Sequence, residues 1–338
     1  MIREAIETIV RGNNLSIDEM VDVMDEIMTG AATPAQIGSF ITGLRMKGET
    51  VEEITGAVTV MRQKATKIHT QGDVVDTCGT GGDGLHTFNI STISAFVAAG
   101  AGAKVAKHGN RSVSSKCGSA DLLMKLGINI EASVEIVEEC IEEIGIGFLF
   151  ASMLHPAMKH AIGPRREIGI RTIFNILGPM TNPAGAKFQL LGVYDPDLTE
   201  LMANVLKNLG STHAFIVHGE GGLDEISISG KTKITELRNK KIDTYFISPE
   251  NFGLKKGTME EIRGGSIDEN AELAVDVLSG KEHRTKRDIV LLNASFVLQA
   301  AGITNDITEA VHLSAQSIDS GAAMKKLERL REMTNQGL

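Results

Sequence analysis

Tryptophan is absent from this chain of 338 residues, and aromatic side chains make up only 4% of it. A surface built for single-stranded nucleic acid wants stacking rings beside a positive groove. The net charge of −9, from 34 basic against 43 acidic residues, withholds the groove as well. The same balance argues against an anionic membrane surface, so any anionic ligand must be held by a local basic cluster. Cysteine is scarce: Cys78, Cys117 and Cys140 form no CxxC pair, which fits neither a disulfide framework nor a zinc knuckle, and we expect small core residues. Long apolar runs are missing too. The stretch "IGIGFLFASML" falls short of the ~18 residues a membrane span needs, and Met1 to Gly12 lacks a basic, then apolar, then small-residue signal pattern. The expectation is a soluble protein that stays in the cytoplasm.

What is abundant is glycine, with 36 residues, well above the usual ~7%. Length exceeds the size at which one core keeps growing, so two lobes are expected. Residues 1–67 read as helices, because "SIDE" at Ser16, "TPAQ" at Thr33 and "TVEE" at Thr50 are capping boxes ahead of amphipathic runs. From Val74 the texture changes to short apolar strand candidates alternating with helices: "VVDTCG", "AKVAKHG", "GIGFLFA", "QLLGVY", "HAFIVHG" and "DTYFIS". That alternation predicts a mostly parallel sheet with helices on its faces. A hairpin is expected at "EISISGKTKITEL", turning at Ser229 and Gly230, and the end from about Ser266 reads as helices. The fold class is therefore α/β: a small all-helical lobe (1–69, with 162–183 returning to it) and a larger lobe (70–161 and 184–338). A mostly parallel central sheet flanked by helices builds the larger lobe, and the active site lies in the cleft between the two.

Three stretches carry the chemistry. "DTCGTGGDGLHTFNIST", Asp76 to Thr92, joins a strand to a helix through glycines, leaving backbone N–H groups and a helix N-terminus free for phosphate. The spacing is neither GxGxxG nor GxxxxGK[ST], which disfavours a Rossmann or Walker reading. Thr87, Asn89, Ser91 and Thr92 are expected in the helix's first turn, some capping it, some meeting phosphate, one hydroxyl available to a magnesium shell. Asp83 is awkward in a phosphate loop unless it faces a cation or a sugar hydroxyl. "KHGNRSVSSKCGS" ends the next strand with a second basic cluster, Lys107 to Ser119, and Arg165, Arg166 and Arg171 form a third. "HGEGGLDEISI" places Asp224 and Glu225 between a glycine turn and a strand, where hard oxygen ligands suit magnesium.

Together with "HPAMKHAIGPRREIGIRTIFNILGPMTNPA", these motifs resemble the anthranilate phosphoribosyltransferase family, in order and over essentially the whole chain. The resemblance implies transfer of the phosphoribosyl group of 5-phosphoribosyl 1-diphosphate to anthranilate. It also implies Mg2+, two ions per subunit when donor is bound, and a homodimer contacting through the helical lobe, with no nucleic acid or membrane partner. Carried over by position, the donor site comprises Gly79, Gly82, Asp83, Thr87, Asn89, Ile90, Ser91 and Thr92 from the first motif. The second motif adds Lys107, His108, Gly109, Asn110, Arg111, Ser112, Val113, Ser114, Ser115 and Ser119. Ser91, Asp224 and Glu225 match the metal ligands; Gly79, His108, Asn110, Arg165 and Gly178 match the anthranilate site. No dedicated acid or base is implied, and Lys107, Asn110 and Arg165 would position substrate. A pyrimidine nucleoside phosphorylase is the nearest rival, but it uses free phosphate and needs no acidic magnesium pair, so "LDEIS" with "HGNRS" favours the transferase.

Overall fold

The computed structural model describes residues 1–112 and 117–336. Its first four helices, α1 to α4 (Ile2–Val10, Ile17–Thr29, Pro34–Lys47, Val51–Lys64), form the helical lobe. All three capping boxes are formed: Ser16, Thr33 and Thr50 each accept the backbone N–H three residues on, whose own side chain returns to the cap. Local chemistry thus sets where α2, α3 and α4 begin. Between them, Glu53 is fully buried and fully used. It accepts Leu15 N at 3.0 Å, Thr50 N at 2.8 Å and Lys47 Nζ at 3.0 Å, tying the turn before α2 to the turn before α4.

The larger lobe is built on a seven-stranded sheet of order β3-β2-β1-β4-β5-β6-β7. The strands are β1 (Val75–Gly79), β2 (Val105–Gly109), β3 (Ile146–Phe150), β4 (Phe188–Gly192), β5 (His213–Gly219), β6 (Thr232–Arg238) and β7 (Lys241–Ile247). The first five pair in parallel; β5–β6 and β6–β7 are antiparallel. The chain visits β2 and β3 on one side of β1 before β4 settles on the other, so the strand order reverses between β1 and β4. Open α/β sheets gather ligands at the carboxyl ends of the strands at such a reversal.

The connecting helices are α5 (Ile90–Gly100), α6 (Ser119–Lys125), α7 (Val134–Ile144), α8 (Ala151–Leu154), α9 (Lys159–Ile168), α10 (Phe174–Leu177) and α11 (Leu198–Asn208). The chain closes with α12 (Ile267–Leu278), α13 (Thr285–Ala300), α14 (Ile307–Asp319) and α15 (Ala322–Thr334). One sheet face packs on α5, α13 and their neighbours around Phe96, Phe215 and Phe296. The other face does not close on itself. Leu191, Val193 and Ile216 of the sheet region and Val205 of α11 join one apolar cluster with Phe40, Ile41 and Leu44 of α3. Ala161, Ile173, Phe174, Leu177 and Met180 belong to that same cluster, so the segment between α8 and β4 is packed into the junction of the lobes. Such continuous burial makes the lobes one body there rather than two separate cores.

The hairpin is displaced from its expected place. Residues 226–230 form no strand, and the turn lies at Asn239 and Lys240, both with positive φ (49° and 68°), between β6 and β7. The first apolar run was captured elsewhere: Asn293 of α13 accepts Ile226 N and donates to Ile226 O, both at 3.0 Å. A side-chain amide thereby takes the place of a partner strand.

Candidate functional site

Four parallel strands, β1, β2, β4 and β5, end in glycine at the same edge of the sheet. The reason at β1 and β4 is Asp224. A Cβ on Gly192 would fall 1.5 Å from the Asp224 carbonyl oxygen, and one on Gly79 would fall 2.3 Å from its Oδ2. No side chain fits either gap, so glycine alone lets the Asp224 segment lie across both strand ends. Asp224 Oδ2 then accepts Gly81 N at 2.7 Å. Gly81, Gly82 and Gly84 follow with φ of 65°, 76° and 75°, and the loop turns Asp83 back toward Asp224. One oxygen each of Asp83, Asp224 and Glu225 lie within 4.8 Å of one another.

These carboxylates are short of partners. Asp83 Oδ2 and Glu225 Oε2 are buried with no hydrogen bond among the described residues. Burial, with repulsion from Asp83 added, raises the Asp224 carboxyl to about 6; burial and the charges of Asp224 and Asp83 push Glu225 up. Like charges desolvated together resist ionising, and a hard cation removes that cost. The all-oxygen donor set fits magnesium. The awkward carboxylate of the glycine loop thus faces the acidic pair, a grouping wider than the Asp224, Glu225 and Ser91 set the sequence motifs indicated.

Beside the carboxylates, α5 begins without a side-chain cap. This corrects the expected first turn: Thr87 precedes the helix, bridged to Arg263, and Asn89 at the cap position spends its amide on Cys117 O at 3.0 Å. The Asn89 Oδ1 and Thr92 Oγ1 are buried without partners. An uncapped helix keeps its first N–H groups and its positive dipole end available to an anion. Ile90 N is spent on Phe88 O at 2.7 Å, so Ser91 and Thr92 form the open end. Lys107, 3% exposed, reaches under it, donating to Thr77 O at 2.7 Å and lying 3.5 Å from Ser91 Oγ. Burial lowers its ammonium, while Asp76 and Glu225 pull it back up.

At the end of β2, Gly109 admits Ser119, whose Oγ accepts Asn110 N and donates to Asn110 O, both at 3.2 Å. Asn110 Oδ1 accepts Arg111 N and Ser152 Oγ. Arg111 is half exposed, near Asp121 and over the Phe150 ring, and Ser112 N donates to Asp121. Val113, Ser114 and Ser115 lie outside the described residues.

His108 points the other way, with its Nε2 3.2 Å from Nε2 of His155 and its ring hydrogen-bonded to the Gly178 backbone. Desolvation first, then His155, lowers His108 to about 3; burial lowers His155 to about 4. Both rings are therefore neutral, with opposed tautomers across the shared contact. Arg165, half-buried over the Phe174 ring at 5.1 Å, has no carboxylate partner among the described residues.

Two supporting residues, Asp76 and Asn182, lie within the quoted motifs but were given no role there. Asp76 is fully buried, accepting His108 N at 3.0 Å and Asn182 Nδ2 at 2.8 Å; Asn182 also donates to Ala106 O. Together they pin the interlobe segment to β1 and β2. The available signal was an aspartate within an otherwise apolar parallel strand, a position that demands partners.

A glycine-rich loop, a carboxylate cluster and a helical lobe joined to an α/β sheet with a strand-order reversal mark an enzyme of the glycosyl transferase class. Residues 3–65 match the model of the glycosyl transferase family helical bundle domain, and residues 71–324 that of the same family's a/b domain. The chain belongs to the anthranilate phosphoribosyltransferase branch of that family. It is 54% identical to the Geobacter sp. (strain M21) enzyme over 99% of each chain, and 55% identical to that of Acetivibrio thermocellus over 99% of this chain and 97% of the relative. The Thermus thermophilus crystal structure superposes with a TM-score of 0.93 at 41% identity, covering 98% of this chain and 99% of that one. The Saccharomyces cerevisiae enzyme in complex with PRPP and Mg gives 0.90 at 28% identity, covering 98% and 97%.

Gly192→Ala should displace Asp224 and cost on the order of 100-fold in turnover while the protein stays folded by circular dichroism; near-normal turnover contradicts the close-approach argument. The histidine pair sets a pH dependence. The unfolded chain binds protons near pH 6.5, whereas the folded pair resists until about 4 and about 3. Its share of stability is therefore full above pH 6.5 and is lost progressively as pH falls from 6.5 through about 4 to about 3. Thermal unfolding at pH 7 and pH 5 checks this: His155→Phe should narrow the difference between the two, and an undiminished difference contradicts it.

Proposed function

We infer that this chain transfers the phosphoribosyl group of 5-phosphoribosyl 1-diphosphate to the amine of anthranilate, giving N-(5-phosphoribosyl)anthranilate and pyrophosphate, the second step of tryptophan biosynthesis from chorismate. The observation that carries the reading is the cluster of Asp83, Asp224 and Glu225 at the mouth of the glycine loop. A diphosphate donor arriving with a cation meets there both the charge and the free N–H groups it requires.

In this reading Gly79, Gly82, Asp83, Thr87, Asn89, Ile90, Ser91 and Thr92 line the donor's diphosphate and ribose, with Lys107 beneath them, and His108 to Ser115 with Ser119 complete the cradle. Ser91, Asp224 and Glu225 hold metal and Asp83 shares it. Bound magnesium supplies charge to the departing pyrophosphate. Two ions per subunit suit three carboxylates plus a diphosphate better than one dication does. Departure leaves positive charge on the anomeric carbon, so the chain's own part is to stabilise the anion and hold the amine close. The aromatic amine is neutral at pH 7 and needs no strong base. Arg165 takes the anthranilate carboxylate, since a guanidinium binds it bidentately, beside Gly79, His108, Asn110 and Gly178.

We divide the chain into 1–69 with 162–183, and 70–161 with 184–338, a division supported by the burial of Ile173 and Phe174 against the first helices. The homodimer contact is placed on the helical lobe, where Val10 of α1 and Met46 of α3 are 72% and 84% exposed. No helix among the described residues is long and apolar enough to cross a membrane; the cytoplasm is proposed as the place of work on the biosynthetic role alone.

Asp224→Asn with Glu225→Gln should lower kcat on the order of 100-fold and raise the magnesium concentration needed for half activity; unchanged magnesium dependence removes the assigned role. Arg165→Ala should raise KM for anthranilate at least about 10-fold, the value of a charged hydrogen-bonded pair, more than it raises KM for the donor. Equal effects on both substrates would make Arg165 structural.

A further inference from the structure

We propose that Arg171 is the positioning residue that holds the phosphate loop at Gly82, with Tyr194 as its platform; the proposal rests on the donor-site reading above. Arg171 sits between α9 and α10, on the segment that also carries Arg165. It is exposed and belongs to the third basic cluster, yet it makes no ion pair among the described residues. Its guanidinium lies over the Tyr194 ring, 4.2 Å from the centroid, and Nη2 donates to the Gly82 carbonyl. Tyr194 itself follows β4 and donates its N–H to Thr80 Oγ1 at 3.3 Å, while Thr80 N donates to Gly192 O at 2.9 Å.

The loop needs such a hold. Gly81, Gly82 and Gly84 all take positive φ and carry no side chain to anchor them, and glycine runs lose the most freedom when ordered. Among the described residues, the hydrogen bonds tying residues 80–85 to the rest of the chain are those of Thr80, Gly81 to Asp224, and Gly82 to Arg171. Arg171 is thus the last fastening before Asp83. Guanidinium suits the task because it stacks by its face and donates by its edge at once, which an ammonium does not. A tether from the acceptor-side segment would keep Asp83 turned toward Asp224 and Glu225, so its loss should be felt by the diphosphate and not by anthranilate.

The test compares Arg171→Ala, Arg171→Lys and Tyr194→Ala with Arg166→Ala, an exposed neighbour that removes the same charge. Amide hydrogen exchange of residues 80–85 is measured in the ligand-free chain, alongside KM for each substrate and inhibition by inorganic pyrophosphate with magnesium. The three loop variants should speed exchange about 10-fold and raise the donor KM and the pyrophosphate inhibition constant about 10-fold, with anthranilate KM and unfolding midpoint unchanged. Arg166→Ala should change none of these. Unaltered exchange in Arg171→Ala overturns the proposal, as does an equal effect from Arg166→Ala or full rescue by Arg171→Lys. Absence of transfer by the wild-type chain would fail the functional reading instead, and the exchange measurement would still decide the tether.

Discussion

Everything at the site depends on how closely the Asp224 backbone lies against the ends of β1 and β4. That contact requires Gly79 and Gly192 where any other residue would collide with a carbonyl or carboxylate oxygen. It also places Asp224 where Gly81 N can be bonded and where Asp83 and Glu225 converge on it. The resulting repulsion is a cost the fold carries in order to demand a cation. Neither the glycine loop nor the acidic pair has this property alone; it arises where β1 and β4 sit side by side.

The rest of the architecture holds that junction still. Asp76 and Asn182 fasten the interlobe segment to the sheet from within. The apolar cluster running from α3 through Phe174 to Ile216 fixes the helical lobe against the sheet and α11. The neutral His108 and His155 pair ties β2 to the turn after α8 without introducing charge. On the proposed reading, an acceptor bound from the helical side would meet a donor bound from the sheet side at this junction, which is what a reaction driven by positioning requires.

How much of this the sequence disclosed follows the range of the interactions. Helix starts at Ser16, Thr33 and Thr50 were legible because a capping box closes within four residues. Six of the seven strands were legible from short apolar runs, and β6 from the alternation in "KTKITEL", the second run of the expected hairpin. The hairpin was misplaced because Asn293, 67 residues away, takes the backbone of Ile226, a partner no local pattern contains. Glycines and carboxylates of the site stood out as residue types, and the family motifs ordered them. That Asp83 faces Asp224 and Glu225 was not legible, since it depends on β4 lying beside β1. The uncapped start of α5 was hidden for a similar reason: Asn89 is a good cap residue by type, and only the chain near Cys117 draws its amide away.

The most direct test is the loss of anthranilate fluorescence when the purified chain is mixed with anthranilate, 5-phosphoribosyl 1-diphosphate and magnesium, with and without a chelator. The account predicts a loss that requires donor and magnesium together and stops when the chelator is added. Folded protein that leaves the fluorescence unchanged, or consumes anthranilate equally well in chelator, would contradict it.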